Sequence, residues 1–334
     1  MGLAFEHAYD NALAFCREYA RHRPAAGFMK TILLRRLGSS LQAGLNTASA
    51  LLQRGESGLS DEAELDDALL PDAAPLNATE QDLLRAVCDS LAGLLAQTGA
   101  DPKANAVIHY LREHDWLRVG AVIFSQYFDT ADWLAGMLRR AFPGEPLALY
   151  AGGGRSVVYL GEDRRHAERE AIKQAVQRGE IRLLVATDAA CEGLNLQSLG
   201  AQINIDLPWN PARLEQRKGR VQRIGQRLDT IRVMNLRYAG TVEDEVYAAL
   251  SARFQDIFQV LGQLPDSFEE DWVEAALRDR AAVRHVLNRV ELARTPMERR
   301  YFRDVADDSG LDWESCERII AAHDIQAYMR SPWP

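Results

Sequence analysis

The stretch Ile181-Arg182-Leu183-Leu184-Val185-Ala186 is six residues of strand length and β-branched character, and a helical pattern at 164–178 lies directly before it. Similar apolar runs stand at Gly120–Phe124, Leu147–Tyr150, Gln202–Asp206 and Ile231–Leu236. Helical patterns fill the intervals at Thr130–Phe142, Arg164–Arg178 and Pro211–Val221. Strands that alternate with helices are parallel neighbours, because a crossover helix returns the chain to the same end of the sheet. The expected fold is therefore α/β, with a parallel sheet covered by helices on both faces. In such a sheet, ligands gather at the carboxyl ends of the strands.

Upstream, Phe5, Tyr9, Leu13, Cys16 and Ala20 recur at helical spacing, and a second pattern runs through Met29, Leu33, Leu37, Leu41 and Leu45. Two amphipathic helices are expected there. Residues 55–77 lose periodicity, gain acids and include Pro71 and Pro75, as a linker does. Thr79-Glu80-Gln81-Asp82 reads as an N-cap with an acidic first turn, opening a helix through Leu84, Val87, Leu91 and Leu95. The division that follows is a helical lead-in over 1–103 with its acidic linker near 55–77, an α/β lobe over 104–261, and a helical C-terminal extension over 262–334. A long helix is expected from Thr241 to about Leu261, with Leu264-Pro265 ending it.

Composition narrows the function classes. Apolar residues make up 47% and charged residues 26% of the 334-residue chain, which is ordinary globular material. No apolar run reaches bilayer length and the N-terminus lacks a signal-peptide layout, so a cytoplasmic protein without a membrane partner is expected. Cys16, Cys88, Cys191 and Cys316 are far apart and have no histidines at ligand spacing, so no metal site is expected. A net charge of −9 argues against a protein that coats itself in nucleic acid. The charge is uneven, however. Arg213, Arg217, Lys218, Arg220, Arg223 and Arg227 face only Glu215 within residues 213–227. Such a basic strip on an acidic body suits a weak grip on DNA through one channel.

The strip belongs to a longer run, Trp209-Asn210-Pro211-Ala212-Arg213-Leu214-Glu215-Gln216-Arg217-Lys218-Gly219-Arg220-Val221-Gln222-Arg223-Ile224-Gly225-Gln226. Its spacing Q-x-x-G-R-x-x-R sets Arg220 and Arg223 three apart, which on a helix means one face. Paired guanidiniums fork N–H donors onto phosphate oxygens and stay charged at any working pH. This run resembles motif VI of superfamily-two helicases in its Swi/Snf form. Val185-Ala186-Thr187-Asp188-Ala189-Ala190-Cys191-Glu192-Gly193-Leu194-Asn195-Leu196-Gln197 resembles motif V, and Val122-Ile123-Phe124-Ser125-Gln126-Tyr127 resembles motif IV. Together they look like the second RecA-like lobe of a bacterial Swi/Snf-type DNA helicase or translocase, over roughly 104–261.

That resemblance implies ATP with Mg²⁺ as cofactor and double-stranded DNA as partner. It implies that Arg220 and Arg223 are catalytic, reaching the terminal phosphate. Gly193, Asn195 and Gln216 lie at the nucleotide, and Ser125, Gln126, Thr187 and Asp188 at the DNA backbone. Asp188 reads equally well as a cap on the turn after its strand. Trp209 reads as a packing residue before a duplex contact. The bacterial branch adds RNA polymerase or phage-defence proteins as partners.

The phosphate-cradling pattern G-x-x-x-x-G-K-[ST] and a D-E-x-H block are not in this sequence. Gly152-Gly153-Gly154-Arg155 has no Lys-Ser/Thr and reads as a flexible loop. Half an ATPase site is expected, with the Mg²⁺ ligands on a first lobe supplied in cis or in trans. The rival reading is a scaffold or binding protein that keeps the lobe fold without hydrolysis.

Overall fold

The computed structural model describes residues 3–22, 27–54, 75–98, 101–188, 194–208, 211–223, 225–241 and 320–321. Four helices open the chain: α1 (Leu3–His22), α2 (Gly27–Ser39), α3 (Leu41–Arg54) and α4 (Ala78–Thr98). Phe15, Leu33, Leu37, Leu51, Leu84 and Leu91 form their shared core, each fully or almost fully buried. The cap of helix α4 is Asn77, two residues before Thr79. Glu80 N–H donates to Asn77 Oδ1 at 2.8 Å and Asn77 N–H to Glu80 Oε2 at 2.8 Å. This reciprocal box satisfies two end donors that the helix itself leaves unpaired.

The expected single helix through Met29 and Leu45 is two helices, broken at Ser40. The break has a local and a distant cause. Ser40 Oγ accepts from Ala43 N–H at 3.0 Å, an N-cap for α3. The Leu41 N–H is taken by Asp101 Oδ2 at 2.7 Å, from a residue 60 positions away. Apolar periodicity carries through the break, so it could not report it.

The remainder is the α/β lobe: α5 (Pro102–Glu113), α6 (Trp116–Val119), β1 (Ala121–Ser125), α7 (Phe128–Ala141), β2 (Leu147–Tyr150), β3 (Val157–Leu160), β4 (Asp163–His166), α8 (Arg169–Arg178), β5 (Leu183–Thr187), β6 (Ala201–Asn204), α9 (Pro211–Val221), β7 (Thr230–Asn235) and β8 (Ile320–Ala321). The strand order is β4-β3-β2-β5-β1-β6-β7-β8. The pairs β2·β5, β5·β1, β1·β6 and β6·β7 are parallel, as expected. The edge strands β3, β4 and β8 pair antiparallel. Ile123, Leu149, Leu183 and Val185 pack one face of the sheet with Val107 of α5 and Leu134 of α7. Val122, Leu184 and Ala186 pack the other with Ile172 and Val176 of α8 and Val221 of α9.

Two readings are corrected here. The expected helix 164–178 begins only at Arg169, because Asp163–His166 pairs with Val157–Leu160 as a hairpin on the sheet edge. All four β4 residues are exposed, so this strand has no apolar alternation to betray it. Within the expected helical extension, Ile320–Ala321 is strand, paired with Thr230 and Ile231. The helix expected over 241–261 and the rest of the extension fall outside the described residues.

Helical unit and lobe share a buried polar seam. Asp101 caps α5 through Lys103 N–H at 2.9 Å, and also accepts from Leu41 N–H and from the Tyr238 hydroxyl. Burial pushes its carboxyl above the ordinary value, against the opposing pull of those donors and of the Lys103 charge. The sign of the pH effect follows from that. A raised folded-state value means this carboxyl supports folding most fully below its unfolded value, about 3.9, and that the support is lost as pH rises through the folded value. Denaturant titrations of wild type and Asp101→Asn across pH should therefore show wild type losing ground to the variant as pH rises from 4. A gap that stays constant or moves the other way would refute the assignment.

Candidate functional site

Register brings the motif residues to one place. β1 pairs with β5 so that Ser125 stands beside Thr187, and with β6 so that Phe124 stands beside Asn204. The segments after these strands all leave the carboxyl edge of the sheet, the ligand edge of parallel sheets. Helix α9 leaves the same edge, seven residues beyond the end of β6.

The centre of the edge is Arg217, which the sequence reading passed over. It is 2% exposed and forks onto Asp188, with Nε to Oδ1 at 2.6 Å and Nη2 to Oδ2 at 2.7 Å. It also donates to Asn204 Oδ1 at 3.2 Å, to the Asp206 carbonyl at 2.8 Å and to Asp206 Oδ1 at 3.3 Å. Its guanidinium lies 5.6 Å from the centroid of the Phe124 ring. Planar bidentate pairing of this kind is specific to arginine. The segment after β5 is thus bolted to α9 by a buried ion pair.

Arg220 and Arg223 do not share a helix face in the way their spacing implied. Helix α9 ends at Val221, so Arg220 lies in its last turn and Arg223 in a bend beyond it. The stop is built from the following residues. Gln226 Nε2 donates to the Val221 carbonyl at 2.9 Å and to the Leu199 carbonyl at 3.1 Å. Gly225 has φ +95° and sits against Gln197, whose side-chain nitrogen would lie 3.3 Å from an added Cβ. Arg220 is half-buried and Arg223 exposed. Among the described residues, neither guanidinium has a hydrogen bond or ion pair, in contrast to Arg217 one turn earlier.

Asn195 is half-buried and its side chain donates to Gln197 Oε1 at 3.0 Å. The Leu196 N–H donates to the Arg220 carbonyl at 3.1 Å and Arg227 N–H to the Gln197 carbonyl at 3.2 Å. The motif V and motif VI segments therefore meet through backbone as well as through Arg217. Gln216, the expected nucleotide neighbour, is exposed on α9 one residue before Arg217. Gly193 and Trp209 lie outside the described residues.

The four positions expected at DNA occupy this edge but face inward. Ser125, Gln126 and Thr187 are 0%, 5% and 1% exposed. Ser125 Oγ donates to Asp206 Oδ2 at 2.6 Å, Gln126 N–H to Asp206 Oδ1 at 2.9 Å and Gln126 Nε2 to the Leu207 carbonyl at 3.2 Å. Asp188 is committed to Arg217 and, as a carboxylate, repels phosphate. The physical reason is the buried charge of Asp206, which gathers nearby donors because an unpaired carboxylate in the interior is costly. Ser125 and Gln126 thereby tie the loop after β1 to Asp206, and Asp188 ties the segment after β5 to Arg217. A signal for Asp206 was available, an acid closing the apolar run Gln202–Asp206. Arg217 stood three residues before Arg220 on a helix interior, so the same periodicity argument would have reached it.

Residues 102–225 match the model of the helicase conserved C-terminal domain. An uncharacterized ATP-dependent helicase, YqhH of Bacillus subtilis, is 30% identical over 245 residues, spanning 73% of this chain and 37% of that protein. The ATP-dependent RNA helicase rok1 of Aspergillus clavatus is 30% identical over 164 residues, 49% of this chain and 21% of that protein. The chain spans well under half the length of either relative. Among solved structures, the C-terminal part of the Fun30 ATPase domain aligns over 83% of this chain and 95% of that one, with 12% identity and a TM-score of 0.49.

Proposed function

We propose that this chain supplies the second motor lobe of an ATP-dependent double-stranded DNA translocase, and that Arg220 and Arg223 meet the terminal phosphate of ATP bound by a first lobe. One observation carries the reading: α9 is locked by Arg217 onto two carboxylates, while the two arginines that follow are left without partners among the described residues. Guanidiniums held on a rigid support, with no competing carboxylate, fit a phosphate that gains charge during transfer. The Mg²⁺ ligands are assigned, with the phosphate loop, to the first lobe.

The duplex is taken to cross the loops after β1 and β5, with Ser125, Gln126, Thr187 and Asp188 bracing those loops. Phosphate contacts made by the loops themselves would position a duplex without reading its sequence. A cytoplasmic location and work alongside RNA polymerase or phage-defence proteins belong to the same reading. Among the described residues no helix is long and apolar enough to cross a membrane.

The test is a comparison of the chain alone with the chain joined to a first lobe. The chain alone should show no appreciable ATP turnover. The joined protein should hydrolyse ATP on addition of duplex DNA and lose that activity with Arg220→Ala. DNA-stimulated turnover by the chain alone would overturn the half-site reading, and a joined protein inert on every nucleic acid would favour the scaffold. Stimulation by RNA and not by duplex DNA would favour an RNA-directed motor, the activity printed in the name of the rok1 relative.

A further inference from the structure

We infer that Ser39, at the break between α2 and α3, and Asp206 are positioning residues for the arginine-bearing helix, so that the N-terminal helical unit governs how α9 presents Arg220 and Arg223. The inference rests on the motor reading for its consequence, while its structural part stands without it. Asp206 is 1% exposed, and its two oxygens take four donors. Oδ2 accepts from Ser39 Oγ and from Ser125 Oγ, each at 2.6 Å. Oδ1 accepts from Gln126 N–H at 2.9 Å and from Arg217 Nη2 at 3.3 Å. A carboxylate offers about four acceptor sites, so this one is saturated. One buried charge therefore joins the helical unit, the loop after β1 and the helix of the arginines.

Beside the apolar contact of Tyr238 with Phe5, the helical unit reaches this point through a polar dock. Lys103 Nζ donates to the Gly38 carbonyl at 2.6 Å and the Ile205 carbonyl at 2.8 Å, clamping the end of α2 to the residue before Asp206. Arg36 pairs with Asp129 at 3.1 Å, and Arg35 donates to Gln126 Oε1 at 3.1 Å. Ser40 Oγ meets Thr130 Oγ1 at 2.8 Å. Of these contacts only Ser39 touches the carboxylate that also holds Arg217. Hydrogen bonds are directional and short-ranged, so a shift of the helical unit withdraws a donor from Asp206 and changes the balance of charge on Arg217.

Hydrogen exchange of the full chain tests the structural part, with Ser40→Ala as the control because Ser40 is equally buried and adjacent but does not touch Asp206. Ser39→Ala should speed amide exchange across 211–223 by roughly tenfold, from the loss of one charge-assisted bond, and Ser40→Ala should leave that segment unchanged. Equal exchange in wild type and Ser39→Ala, or equal acceleration by both variants, would overturn the inference. If Ser39→Ala does not fold, Ser39→Cys gives the same readout with nearly the same volume and a weak donor. In the chain joined to a first lobe, Ser39→Ala should lower kcat for ATP with KM unchanged, a split that general loss of folded protein mimics only in amplitude and not in exchange. A joined wild type without activity would sink the motor reading and leave the exchange result to decide this one.

Discussion

Alanine at position 223, in the chain completed by a first lobe, is expected to lower the maximal ATPase rate by about a thousandfold or more and to leave duplex affinity nearly intact. An arginine finger acts on charge that develops in the transition state, and its removal is worth on the order of 10³ to 10⁵ in rate. The placement of Arg223 sharpens the expectation. It is exposed in the bend after α9, away from the buried seam, so its removal leaves no orphaned carboxylate among the described residues and should not disturb folding. Replacements beneath the edge should behave differently. Ser125→Ala takes a donor from Asp206 and acts on the loop, so it should weaken DNA stimulation and make it more sensitive to salt. Steady-state ATPase titrated with duplex separates the two. Arg223→Ala that lost DNA affinity while keeping its maximal rate would mean that the basic strip serves the nucleic acid.

The second large effect is on stability. Arg217→Ala leaves Asp206, 1% exposed, and Asp188, 11% exposed on its side chain, without their shared cation. Breaking a buried pair by removing one partner costs about 3–5 kcal/mol, because the remaining charge stays in the interior unpaired. Urea unfolding of the chain should therefore show a loss of that size. Arg217→Lys should recover only part of it, since an ammonium cannot fork onto Asp188 while also reaching Asn204 and the Asp206 carbonyl. A loss below about 1 kcal/mol for Arg217→Ala is the behaviour of a solvent-exposed pair and would show that water reaches this seam.

Much of the lobe was legible along the chain because its signals are local. A parallel strand buried on both faces is a short run of apolar residues wherever it occurs, and five such runs marked β1, β2, β5, β6 and β7 to within a residue or two. The hairpin β3–β4 was missed for the complementary reason: at a sheet edge Asp163–His166 can be wholly exposed and still hold strand geometry through backbone bonds to its neighbour. The helix over Pro211–Val221 was legible to its last residue, whereas the arginine spacing, which runs on to Arg223, gave no sign that Gln226 holds the stop with its side chain.

Sequence alone determined the α/β class and the carboxyl edge as the place where the Ser125, Thr187 and Arg220 segments meet, because periodicity and strand length are properties of neighbouring residues. Tertiary structure alone decided which polar groups are available to a ligand. Ser39 lies 167 positions from Asp206, Ser125 lies 81 away and Arg217 lies 11 away, yet all three donate to its one buried carboxylate. A hydroxyl, a carboxylate or a guanidinium reads the same in sequence whether it faces solvent or another chain segment. Only the fold brings the partners to within hydrogen-bond distance, and the cost of leaving a buried charge unpaired then commits Ser39, Ser125 and Arg217 to Asp206.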